Sequence, residues 1–255
     1  MRRRVGLFFI SLLLPATPLF ASPPVVLCAD TYCPYNCEPG AEQPGYLIEL
    51  ATAAMASRNE TIEYRIEPWE RAIVDTRGGR CDALVGTPAG DPADFIFPSV
   101  EAGMNVNVFI TLAASNWRYR GAESLADIVL GGIDGYRYGE PVDSWIAQHH
   151  NDVARVQLIS GETAIDQNLA MLARGRTTAY LEDKMVLQYR AQITRLGSPW
   201  RIAGEASRLP FHIAFSPAKP ESAARAKALA SLIKTWRQNG QLKKLLARYG
   251  LDDWH

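Results

Sequence analysis

ADTYCPYNCEPG (29–40), PGYLIELA (44–51), IEYRI (62–66), PWERAI (68–73), GRCDALVG (79–86) and DFIFP (94–98) follow one another at short intervals and decide the fold. The apolar run VVLCA (25–29) predicts a strand, Tyr46 to Arg58 a helix, and Ile62 to Ile66 a second strand. A helix over Trp69 to Arg77 and a strand over Cys81 to Gly86 complete the series. Strand, helix, strand, helix, strand implies a parallel sheet covered by helices. Ligands of such sheets sit beyond the carboxyl ends of the strands. Those ends carry Asp30 to Tyr35, Pro68 to Arg71, and Gly86 to Gly90.

Outward from this stretch, the amino terminus reads as a secretory signal peptide over residues 1–21. Arg2, Arg3 and Arg4 precede an apolar run from Val5 to Phe20, and Ala21 offers a small residue for cleavage before Ser22. Pro15 and Pro18 interrupt a run shorter than the roughly 20 residues that a membrane span needs. Cys28 lies beyond that run and follows the bulky Leu27, which disfavours a lipoprotein. The mature chain is expected to be exported, with no stable membrane insertion. The sequence has 27 basic and 27 acidic residues; loss of the three arginines leaves a net charge of about minus three, and no basic patch points to nucleic acid.

After Met104 to Thr111 the alternation starts again. ESLADIVLGGIDG predicts a short helix and a strand around Ile128 to Ile133, DSWIAQHH a helix, VARVQLI a strand, TAIDQNLAMLARG a helix and TTAYLED a strand. FHIAFS (211–216) is an extended segment returning the chain to the first unit. Two helical runs follow, the first with an apolar stripe at Ala228, Leu232, Ile233 and Trp236 and a stop at Gly240. Crossovers near Thr111 and Phe211 predict a two-lobed α/β molecule, with lobe 1 over 22–110 and 215–255 and lobe 2 over 111–214.

In order and spacing, PGYLIELA, PWERAI, GRCDALVG, DFIFP, ESLADIVLGG, LARGRTTAYLED, AFSP and NGQLKKLLARYGLDDW resemble the family 3 extracellular solute-binding proteins, of the type II periplasmic binding fold. The likeness covers nearly the whole mature chain. It implies two lobes, each a small mainly parallel sheet flanked by helices, joined by a two-segment hinge. It also implies a periplasmic location, capture of a small polar, amino acid-like molecule, and delivery to an ABC permease by a monomer. No cofactor and no metal is called for.

The resemblance and the rim loops together nominate a ligand site. Tyr32 and Tyr35 supply an aromatic wall, against loop packing as the alternative. Trp69 lines the cleft, and Arg71 offers a forked grip on an anion, against a surface ion pair with Glu67, Glu70 or Asp75. Gly86 and Thr87 follow the third strand, where a glycine opens backbone N–H groups to a ligand. Tyr136, Arg137 and Tyr138 lie in a glycine-flanked loop before a helix, where backbone donors favour anions, with Tyr136 and Tyr138 assigned to the ligand. Asp183 matches the position that holds the ligand ammonium in the family, with Glu182 second; adjacent strand residues point to opposite faces. The family's carboxylate-gripping arginine has no counterpart, since no arginine lies between Gly86 and Phe97.

Cys33 and Cys37 are expected to form a disulfide in an exported protein. Cys28 and Cys81 fall beside neighbouring strands but are staggered, and are read as free or bonded. The histidines at 149, 150, 212 and 255 form no spaced ligand set, and no residue is assigned a catalytic role. The same fold resembles that of periplasmic cyclohexadienyl dehydratases, in which Glu182 would be the acid acting on prephenate or arogenate. A sensory protein passing its signal to a membrane receptor would share the same residues.

Overall fold

The computed structural model describes residues 23–194 and 199–254. The signal-peptide expectation and His255 lie outside the described residues. The chain runs through β1 (Val25–Ala29), α1 (Tyr46–Ala56), β2 (Ile62–Ile66), α2 (Trp69–Arg77), β3 (Ala83–Pro88) and β4 (Gly103–Leu112). A 3₁₀ turn (Ala122–Asp127) leads to β5 (Leu130–Ile133), α3 (Val142–His149), β6 (Val156–Ile159), α4 (Ala164–Ala173) and β7 (Ala179–Asp183). Then follow α5 (Lys184–Thr194), β8 (Trp200–Phe215), α6 (Ser222–Gln238) and α7 (Gln241–Arg248).

The strands form one eight-stranded sheet in the order β2-β1-β3-β8-β4-β7-β5-β6. At one end β1 pairs in parallel with β2 and β3, and at the other β5 pairs in parallel with β6 and β7. Between these units runs an antiparallel ribbon of β4 and β8, from Gly103 opposite Phe211 to Leu112 opposite Trp200, with register shifts between Asn107 and Val108 and between Phe109 and Ile110. The chain thus leaves the first unit on β4 and returns on β8. A helical connection is the only economical way to join parallel neighbours, which is why strands and helices alternate within each unit. The two expected crossovers are long strands.

Three local features depart from the sequence reading. The expected strand over VARVQLI begins only at Val156, because Asp152 folds the preceding residues into a turn by accepting the Ala154 amide at 3.0 Å. Helix α5 was not anticipated, and Asp183 begins it by accepting the amides of Met185 and Val186 at 2.8 and 3.0 Å. The buried stripe of α6 is Ala226, Leu229, Ala230 and Ile233, one position round from the predicted stripe; Leu232 and Trp236 flank it and only Ile233 is shared.

Helices α1, α6 and α7 cover the first unit, and their apolar faces merge with Val25, Leu27 and Ile213 in the largest core cluster. Arg225 of α6 anchors this layer by reaching Asp82 at 2.8 Å and Glu60 at 3.1 Å. Both Cys33–Cys37 and Cys28–Cys81 are disulfides. The stagger of Cys28 and Cys81 along the strands is therefore no obstacle: Cys81 precedes β3, and the Cα atoms are 6.0 Å apart, within ordinary bonding range. No helix among the described residues is long and apolar enough to cross a membrane.

Candidate functional site

A cavity of about 200 Å³ lies beyond the carboxyl ends of β1 and β3 and the start of α2, roofed by the loop after β5. Its position follows from the topology, since parallel strands deliver their exit loops to the same rim. The first exit loop is built tightly. Tyr32 donates its amide to the Asn36 carbonyl at 2.8 Å, the Cys33–Cys37 disulfide closes the turn, and the Asn36 side-chain amide donates to the Asp30 carbonyl at 2.6 Å.

Of the residues nominated from sequence, Tyr32, Trp69, Gly86 and Tyr136 line the cavity. The ring of Tyr136 stands edge-on to both Tyr32 and Trp69, with centroids 5.8 and 6.1 Å apart, so aromatic surface from both units meets there. Gly86 has φ of +81°, and a Cβ at this position would stand 3.2 Å from Asn36 Oδ1 and 3.3 Å from the Phe211 ring. The left-handed backbone favours glycine here, and a side chain would also press on Asn36 and Phe211.

The other nominated residues face elsewhere. Tyr35 stacks behind Tyr32 at 5.5 Å and donates its hydroxyl to the Met104 carbonyl at 3.0 Å. Arg71 does not line the cavity; it is an exposed side chain paired with Asp75 at 3.5 Å. Thr87 is fully buried and donates its hydroxyl to the Asp91 carbonyl. The Tyr138 hydroxyl accepts the Ile133 amide at 2.7 Å, inside the core of the second unit. The backbone donors expected to welcome an anion in this loop are already used: Asp143 accepts the amides of Tyr138 and Gly139 at 2.8 and 3.1 Å.

Asp183 is likewise occupied by its own fold. One carboxylate oxygen caps α5, and the other accepts the Val106 amide at 2.8 Å and the Asn105 side-chain amide at 3.1 Å. Glu182 points to the opposite face, as strand alternation requires. There it accepts the Tyr32 hydroxyl at 2.7 Å, the Tyr180 hydroxyl and the Asp183 amide. Burial pushes the Glu182 carboxyl up to about 7, against the lowering effect of those three donors. Neither Glu182 nor Asp183 lines the cavity.

Residues passed over in the sequence supply much of the wall: Asp30, Asn36, Asn105, Asn107 and Phe211. Asp30 is legible as the residue that follows β1 on the rim, whereas the two β4 asparagines and Phe211 depend on the central ribbon. Burial raises the Asp30 carboxyl to about 6, partly offset by the hydrogen bond that Tyr136 donates to it. That bond joins the exit loops of the two parallel units. A second link crosses nearby, where Arg137 approaches Asp91 at 3.3 Å.

Solved structures with the same architecture are numerous. A histidine kinase sensor domain with similarity to periplasmic binding proteins superposes with a TM-score of 0.72 at 18% identity, over 91% of this chain and 99% of that one. The chain has the periplasmic-binding-protein fold. Within that fold, ArtJ from Geobacillus stearothermophilus, an arginine-, lysine-, histidine-binding protein, matches with a TM-score of 0.71 at 12% identity, over 91% and 97% of the two chains. A structure from glutathione import via GshT of Streptococcus mutans gives 0.73 at 14% identity, over 90% and 95%. No protein-family model and no curated protein sequence matches the chain.

Proposed function

We propose that this is a periplasmic solute-binding protein of the family 3 type. It captures a small polar molecule between two lobes, over 22–110 with 215–255 and over 111–214, and delivers it to an ABC permease. The observation that carries this reading is the Tyr136 to Asp30 hydrogen bond across a cavity enclosed by exit loops of both parallel units. The cavity is polar and aromatic, as a site for orienting a metabolite should be. Tyr32, Trp69, Gly86 and Tyr136 contact the ligand; Tyr35, Thr87, Tyr138 and Asp183 hold the walls. β4 and β8 form the hinge, and closure around a bound ligand needs no chemistry on it.

A dehydratase role for Glu182 has less support, because its carboxylate takes three hydrogen bonds behind the Tyr32 ring and does not border the cavity. The test is thermal unfolding of the mature protein against a panel of amino acids, amines, sugars and organic acids. A ligand at 100 times its Kd stabilises the folded state by about 2.7 kcal/mol, and the midpoint rises accordingly. A selective rise with one chemical class is expected. No rise with any class contradicts solute capture.

A further inference from the structure

Building on the capture reading, we propose that the cleft selects a small organic cation that carries N–H donors and lacks a carboxylate. Asn36 is 1% exposed, and its amide nitrogen is committed to the Asp30 carbonyl, which fixes the orientation of the group. Asn36 lines the cavity beside Gly86, with its Oδ1 buried and its side chain close to the Tyr64 hydroxyl. The Asp30 carboxylate opens on the same cavity and supplies a negative charge beside it.

The walls suit the same guest. Trp69, Tyr136, Tyr32 and Phe211 present aromatic surface around these acceptors, and aromatic faces attract cations. The positive side chains on the cavity are already matched. Arg77 binds Asp94 at 2.7 Å and Arg137 lies 3.3 Å from Asp91. The carboxylate of an α-amino acid would therefore have to displace Asp94 or Asp91 to be gripped, whereas an amine meets Asp30 directly. The amino acid's ammonium would not find Asp183, whose oxygens are filled by backbone and Asn105 donors.

Matched probes test this by isothermal titration: agmatine against arginine, and histamine against histidine. At least one carboxylate-free amine is expected to bind at least tenfold more tightly than its amino acid, and Asp30→Asn to weaken that binding at least tenfold. If Asp30→Asn fails to fold, Trp69→Ala carries the test, with the same tenfold loss expected for the amine. Tighter binding of the amino acids, or unchanged amine binding in a folded variant, overturns the inference. Binding confined to sugars or organic acids overturns it too, yet leaves solute capture standing. Failure of every class on the thermal panel removes the capture reading itself.

Discussion

Replacement of Arg225 by alanine is expected to lower the unfolding free energy by about 3 kcal/mol, the lower end of the range for breaking a buried ion pair. Arg225 is 8% exposed and bridges Asp82 and Glu60, while the second Asp82 oxygen accepts the Val26 amide at 2.9 Å. Its removal takes from Asp82 and Glu60 their shared buried partner beneath α6, and loss of a partner to buried charge is what makes such changes severe. Lys219 at 3.8 Å from Asp82 and Arg58 at 2.9 Å from Glu60 soften the loss, which places the value low in the range. Arg225→Lys should fall between, because an ammonium cannot fork to both acids. Urea denaturation at pH 7 measures this. A loss below about 1 kcal/mol, the value of an ordinary surface pair, would mean that the bridge does not anchor the helix layer.

The second large effect is a fall in stability as pH rises from about 5 to about 8. Burial raises Asp30 to about 6, Glu182 to about 7 and Asp183 to about 6, from ordinary values of 3.8, 4.5 and 3.8. An acid whose pKa is higher in the folded state binds protons more readily there than in the unfolded chain. Its contribution is complete below the unfolded value and is lost as pH climbs through the folded one. At 1.36 kcal/mol per unit, Asp30 accounts for about 3 kcal/mol over its full range from 3.8 to about 6, of which about 1.4 kcal/mol is lost above pH 5, and Glu182 and Asp183 act in the same direction. Urea denaturation at pH 5, 6.5 and 8 is expected to give a falling series, flattened in Asp30→Asn. A flat or rising series would show that the hydrogen bonds to these groups outweigh their burial.

Much of the architecture is legible because the first unit obeys simple periodicity. β2 and α2 fall where IEYRI and WERAIVDTR place them, since each stretch has one clear period and sharp punctuation. β8 is not legible beyond its last few residues. Apart from the buried Ala203, Trp200 to Pro210 is half-exposed or exposed without a clean period, and Pro210 reads as a break, yet β4 pairs with it across two register shifts. Only the long-range ribbon reveals that segment as a strand. Helix α5 has a local signal in Asp183, a carboxylate placed to cap the next turn.

The site was legible in outline and not in detail. Strand ends predicted the rim, and Tyr32, Trp69, Gly86 and Tyr136 stand on it. Which neighbour faces inward depends on turn geometry that spacing does not express. Thus Tyr32 borders the cavity while Tyr35 lies behind it, and Asn36, with no apolar period to mark it, also lines the wall. Arg71 shows the same limit: its spacing of four to Asp75 gives a helix-surface pair rather than a cleft contact.

Solute capture between the two units is tested most directly by amide hydrogen exchange with and without the solute that the thermal panel selects. The predicted result is slowed exchange in both the Asp30 to Cys37 loop and the Gly135 to Gly139 loop, since the ligand orders walls from each unit together. Slowing confined to one loop, or absent from both while the solute is bound, would contradict capture between them.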